Sequence, residues 1–179
     1  MMTDHSLESR VSTLAENVIV KSRREGLKVT TAESCTGGMI SAGLTSIVGS
    51  SYVLDRGFVT YSDISKFEML GVSMKYIHDQ GPVSAIVACE MVKGALKNSR
   101  GDIAVAVTGI AGPGGEENDQ SMGLVFISSA RREETPTVQE YHFAEKVKEA
   151  TRADIRYLTT IKALNHLLAR INLFQGTVP

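Results

Sequence analysis

A chain of 179 residues and 19.3 kDa can bury a full hydrophobic core, hiding about 70% of the surface its unfolded form exposes, without help from disulfides or metals. Its 42% hydrophobic and 22% charged residues exclude a disordered chain. The balance of 19 basic against 20 acidic residues, a net charge of −1, excludes a strong non-specific pull on nucleic acid, yet leaves room for a local cluster holding one phosphate.

The opening MMTDHSLESR has no apolar stretch, so no secretory leader is expected. Ser6 as a cap and the stripe Leu7, Val11, Leu14, Val18 predict a first helix, stopped at Gly26. Leu27–Thr31 predicts a strand, and the small-residue segment Thr36–Val48 a helix packed close on a sheet. Gly57–Tyr61 predicts a second strand, followed by helices over Ile64–Leu70 and Ala85–Asn98, the latter capped by Ser84. In Asp102–Thr108, Ile103, Val105 and Val107 alternate with small residues, which predicts a central strand buried on both faces. A glycine-rich loop from Gly109 to Met122 follows. Leu124–Ala130 and Thr137–Phe143, joined by the charged turn Arg131–Pro136, predict a hairpin. A last helix is expected from about Lys148 to Leu173, with Ile155, Leu158, Thr159, Ala163, Leu167 and Ile171 as its apolar stripe.

Early alternation favours parallel pairing and the late hairpin adds antiparallel pairing. The expected fold is α/β, a three-layer α/β/α sandwich around a mixed β-sheet. No repeat or linker divides the chain, so a single domain over residues 1–179 is expected. The runs Ile103–Val107 and Leu124–Ile127 fall far short of the roughly 18 residues that span a bilayer, so no membrane partner is expected and a cytoplasmic location is. Cys35 and Cys89 form no Cys-x-x-Cys pair, and His5, His78, His142 and His166 show no metal spacing, so no metal or other cofactor is expected.

Two loops can carry chemistry. Thr30-Thr31-Ala32-Glu33-Ser34-Cys35-Thr36-Gly37-Gly38 joins a strand to a helix, where free N–H groups and the helix dipole favour negative charge. Ser34, Cys35 and Thr36 offer three nucleophiles there; the structural alternative is that a Ser or Thr simply caps the helix. Thr108-Gly109-Ile110-Ala111-Gly112-Pro113-Gly114-Gly115 follows the central strand, at the sheet edge where open α/β folds bind ligands, though a plain surface loop reads the same way. It is neither a P-loop nor a dinucleotide fingerprint. The spacing of Tyr61, Ser62 and Lys66 matches neither Tyr-x-x-x-Lys nor Ser-x-x-Lys, and no Ser-His-Asp triad assembles. An enzyme using Ser34 therefore needs another base, and a lysine whose pKa is lowered by burial would serve.

TAESCTGG at Thr31–Gly38, GSS at Gly49–Ser51, RGFVTYS at Arg56–Ser62 with Lys66 after it, GPVS at Gly81–Ser84 and TGIAGPGG at Thr108–Gly115 occur in one order. Together they resemble the CinA carboxy-terminal domain family, the nicotinamide-nucleotide amidases of the PncC type, from the first helix to about Leu168. The resemblance implies hydrolysis of the carboxamide of nicotinamide mononucleotide to nicotinate mononucleotide and ammonia, which recycles pyridine nucleotides. It implies Ser34 as nucleophile and Lys66 as its base, with Tyr61 nearby to position one of them. Many family proteins carry a further amino-terminal domain linked to nucleotide pyrophosphatase activity; this chain has no room for one, so that activity is expected to be absent. The family's Gly-Asp-Arg stretch reads Ala150-Thr151-Arg152 here, keeping Arg152 and Arg156 without the glycine and the acid. The segment Glu116–Asp119 is of a variable kind.

On this reading the partner is a small-molecule nucleotide. The helix N-terminus at Thr36, Gly37 and Gly38 would supply oxyanion donors, and Thr108, Gly109 and Gly112 with Arg152 or Arg156 would hold the phosphate. Two other readings stand beside it: a non-catalytic nucleotide-binding module using the same loops, and an RNA-binding accessory domain, which the neutral charge and missing aromatic clusters disfavour. The stripe Ile155–Ile171 is expected to face the core, although it could also serve a homo-oligomer.

Overall fold

The structure is a computed structural model that describes residues 4–112, 122–146 and 149–173. Its centre is one five-stranded mixed sheet in the order β2-β1-β3-β4-β5, made of β1 (Val29–Glu33), β2 (Leu54–Val59), β3 (Ile103–Gly109), β4 (Leu124–Arg131) and β5 (Thr137–His142). β1 runs parallel to both β2 and β3, while β3–β4 and β4–β5 are antiparallel, the last pair being the expected hairpin. The helices are α1 (Asp4–Arg24), α2 (Met39–Thr45), α3 (Asp63–Leu70), α4 (Met74–Gln80), α5 (Ala85–Lys97), α6 (Phe143–Lys146) and α7 (Arg152–Asn172). The three-layer α/β/α arrangement is the one expected.

Side-chain alternation sorts the two layers. Ile103, Val105 and Val107 of β3 point to α1, α2 and α7, where Leu7, Val18, Ile40, Leu44, Ile155 and Leu167 complete one core. Ala104 and Ala106 point the other way, toward Val87, Met91 and Val92 of α5, and their small size lets that helix lie close to the sheet. Gly94 of α5 meets the Leu70 carbonyl at the end of α3, where a Cβ would collide with backbone. Among the described residues, no helix is long and apolar enough to cross a membrane.

Several boundaries differ from expectation. α1 begins at Asp4, so Ser6 lies inside it. β1 lies later than Leu27–Thr31 and ends on Glu33, and α2 starts at Met39 rather than Thr36 because residues 35–38 form a turn with Gly37 and Gly38 in the left-handed region. β2 is Leu54–Val59, paired with β1 in continuous register from Thr30–Arg56 onward, after a shift between Val29 and Thr30. α4 is too short to leave a periodic signal, and α6 begins at Phe143, where β5 was expected to end. α7 starts at Arg152 rather than Lys148 because Thr151 and Asp154 form a capping box there.

Candidate active site

The site grows from the carboxyl ends of β1, β2 and β3. The chain leaves β1 for β2 on one side and returns to β3 on the other, the switch point where open α/β sheets bind ligands. The strand alternation turns Glu33 toward α2. Its buried carboxylate accepts from the N–H groups of Gly38, Ile40 and Ser41 at 3.0, 3.0 and 2.9 Å, and from the hydroxyls of Thr36 and Ser41 at 2.7 and 2.8 Å. These amides are the donors a helix start leaves unpaired. Glu33 therefore caps α2 from the preceding strand; Gly38 occupies the N-cap position, and neither Ser34 nor Thr36 caps the helix.

That arrangement corrects the expected oxyanion donors. Gly38 N–H is bonded to Glu33, and Gly37 N–H donates to the Ser34 carbonyl at 3.0 Å. Among the described residues, the loop amides that no other residue takes up are those of Cys35 and Thr36. Ser34 is buried, and its Oγ is hydrogen-bonded to no described residue. Burial pushes the adjacent Cys35 thiol up to about 12, so the thiolate is scarce and the hydroxyl is the better placed nucleophile of the two.

Lys66 comes from the second turn of α3, which Ser62 caps by accepting from Ser65 N–H at 3.2 Å. Only 2% of its side chain is exposed. Its Nζ donates to the Tyr61 carbonyl at 3.4 Å and lies 3.6 Å from Asp63 Oδ1. Burial pulls the Lys66 pKa below the ordinary lysine value, and Asp63 opposes that shift. Tyr61 thus holds Lys66 by its backbone carbonyl, while its phenol oxygen accepts from Arg152 Nη2 at 3.1 Å. Arg152 Nη1 donates to the Gly112 carbonyl at 2.8 Å, tying the glycine-rich loop to the end of β2. Thr108 Oγ1 donates to the Pro82 carbonyl at 2.8 Å, closing the side next to α5.

Ser34, Cys35, Tyr61, Asp63, Lys66, Pro82, Val83, Thr108 to Gly112 and Arg152 line one cavity of about 260 Å³. Of the residues singled out in the sequence, Ser34, Lys66, Tyr61, Thr108, Gly109, Gly112 and Arg152 come together there. Thr36, Gly37, Gly38 and Arg156 stand outside its wall: Arg156 Nη2 donates to the Thr36 carbonyl at 2.8 Å and braces the loop from behind. Pro113, Gly114, Gly115 and Glu116–Asp119 lie outside the described residues.

Sequence reasoning missed Glu33 and Asp63. Asp63 had a signal, since it stands three residues before Lys66 at the start of a helix, the spacing of a side-chain pair. Glu33 had a weaker one: an acid among small residues at a strand end must find donors if it is buried. Among the described residues, no cluster of His, Cys, Asp and Glu could hold a metal ion.

The CinA C-terminal domain family matches residues 11–171. The nicotinamide-nucleotide amidohydrolase PncC of Escherichia coli K12 is 44% identical over 123 residues, 69% of this chain and 74% of that protein. A relative from Caldicellulosiruptor bescii is 42% identical over 158 residues, which is 88% of this chain but only 37% of its own length. The crystal structure of the competence/damage inducible protein CihA from Agrobacterium tumefaciens superposes with a TM-score of 0.84 at 43% identity, covering 91% of this chain and 96% of that one.

Proposed function

The chain belongs to the CinA C-terminal domain family, and we propose that it hydrolyses the carboxamide of nicotinamide mononucleotide to nicotinate mononucleotide and ammonia. The observation that carries this reading is that Ser34, whose Oγ no described residue takes up, and Lys66, whose pKa burial lowers, line one cavity. The amidohydrolase name of the Escherichia coli relative supplies the substrate.

In this scheme neutral Lys66 takes the hydroxyl proton as Ser34 Oγ attacks the carboxamide carbon. The carbonyl oxygen becomes an oxyanion, with the N–H of Cys35, which lines the cavity, as the available donor. Protonated Lys66 returns the proton to the amide nitrogen, the C–N bond breaks, and ammonia leaves an ester on Ser34. Water, losing a proton to Lys66, then attacks that ester, and the released Ser34 oxygen recovers the proton. Arg152 and the Thr108–Gly112 loop hold the phosphate end.

The test is release of ammonia from nicotinamide mononucleotide by the purified chain in the presence of chelator. Wild type is expected to turn over. Ser34→Ala is expected to be inactive but folded, with ligand binding retained, because Ser34 caps no helix and its loss costs little stability. Wild-type turnover by Ser34→Ala would remove the nucleophile assignment. Ligand binding without any ammonia from wild type would favour a non-catalytic nucleotide-binding module.

A further inference from the structure

The cavity wall carries both signs of charge, with Asp63 beside Lys66 and Arg152 on the Gly112 side. The hydrolytic steps use Lys66 and leave Asp63 without a role. A carboxylate 3.6 Å from the base works against it, because it stabilises the ammonium form that cannot accept a proton. Asp63 is 48% exposed although its partner Lys66 is buried, so one of its oxygens can turn to a ligand. The proposed substrate is a zwitterion: its nicotinamide ring bears a fixed positive charge and its other end a phosphate.

We propose that Asp63 is the specificity-determining residue for the cationic pyridinium ring, and that by pairing with the ring it releases Lys66, so that bound substrate frees its own base. This rests on the amidase reading above. Among the described residues, the groups facing Lys66 are few. Asp63 comes from its own helix, and the Tyr61 carbonyl from the end of β2. The Cys35 thiol, from the turn before α2, is neutral around pH 7. Arg152, from α7, donates to the Tyr61 hydroxyl and, with Arg156, acts electrostatically on the Cys35 thiol. Asp63 is therefore the anion that holds the proton on Lys66, and a pyridinium beside Asp63 cancels that hold and repels the ammonium as well.

The sign is fixed. In free enzyme Asp63 keeps the Lys66 pKa higher; with cationic substrate bound it is lower. The pH limb of kcat, which reports the complex, is expected about one pH unit below the limb of kcat/KM, which reports free enzyme. With the reduced, dihydropyridine mononucleotide the ring is neutral, and the two limbs are expected to coincide.

The experiment measures both profiles for both mononucleotides with wild type and Asp63→Asn. The variant is expected to move the kcat/KM limb down toward the kcat limb and to cut the preference for the cationic over the neutral ring by about tenfold. Coincident limbs for wild type with the cationic substrate overturn the proposal, and so does an unchanged preference in Asp63→Asn. The wild-type profiles decide by themselves should the variant fail to fold. Absence of ammonia from wild type on either substrate overturns the amidase reading and this inference together, whereas turnover with coincident limbs overturns this inference alone.

Discussion

Lys66 shows how one residue's burial sets its chemistry. An ammonium removed from water is destabilised, and at 2% exposure little solvent remains to hold the proton. The lowered pKa means that the neutral, proton-accepting form gains population as pH rises from acid, so amide hydrolysis is expected to climb along one limb lying below the ordinary lysine range. Lys66→Arg keeps the charge but cannot lose a proton there, and kcat is expected to fall about 10²- to 10⁴-fold. A Lys66→Arg protein with unchanged kcat and pH profile would move attention to Tyr61. Cys35, beside the nucleophile, has a thiol pushed up to about 12, so activity is expected to survive Cys35→Ser. Ser34 and Lys66 were legible in the order of the short motifs. Their neighbours Glu33 and Asp63 were not, because an acid's role depends on which donors or cations the fold turns toward it.

At the scale of elements, α2 depends on the strand before it. Its first amides are held by the Glu33 carboxylate, which accepts on both oxygens. An amide at that site offers only one accepting oxygen and turns N–H groups toward other N–H groups. Glu33→Gln is therefore expected to lower stability by about 2–4 kcal/mol in denaturant unfolding and to reduce turnover by loosening the Ser34 turn. A Glu33→Gln protein as stable as wild type would show that the carboxylate does not hold the turn. On the same face of the sheet, α7 is tied to β4 and β5 through His166, whose ring nitrogens lie 2.9 Å from the Tyr141 hydroxyl and 3.4 Å from Ser129 Oγ. Burial, with the Arg170 and Lys162 charges, lowers its pKa from 6.5 to about 4. The unfolded chain then binds this proton at higher pH than the fold does, so stability is lost as pH drops through that interval, by up to about 3 kcal/mol. His166→Gln is expected to show a shallower fall in unfolding midpoint between pH 7 and pH 4, and parallel curves for the two proteins would discount His166 as the source.

Over the whole molecule, Arg152 joins parts of the chain that sequence keeps far apart, Gly112 and Tyr61, and both contacts close the same cavity. As a cation bonded to Gly112 on the cavity wall it is the expected phosphate contact. Wild type should therefore prefer the mononucleotide to nicotinamide or its riboside. Arg152→Ala should raise KM for the mononucleotide about ten- to a hundredfold and leave the riboside nearly unaffected. Equal kcat/KM for all three compounds in wild type would discard the phosphate contact. The amino-acid sequence alone determined the layers and most elements: alternation in Ile103–Val107, the hairpin turn at Arg131–Pro136 and the stripe of α7 are local patterns set by which side chains must leave water. It also carried the order of motifs that names the family. Tertiary structure alone decided that Glu33 rather than Ser34 caps α2, that Gly37 and Gly38 amides are committed inside their turn, and that Arg156 braces from behind while Arg152 faces the cavity. Those outcomes depend on distances between residues remote in the chain, and hydrogen-bond partners and burial exist only once the strands have paired and the helices have packed across them.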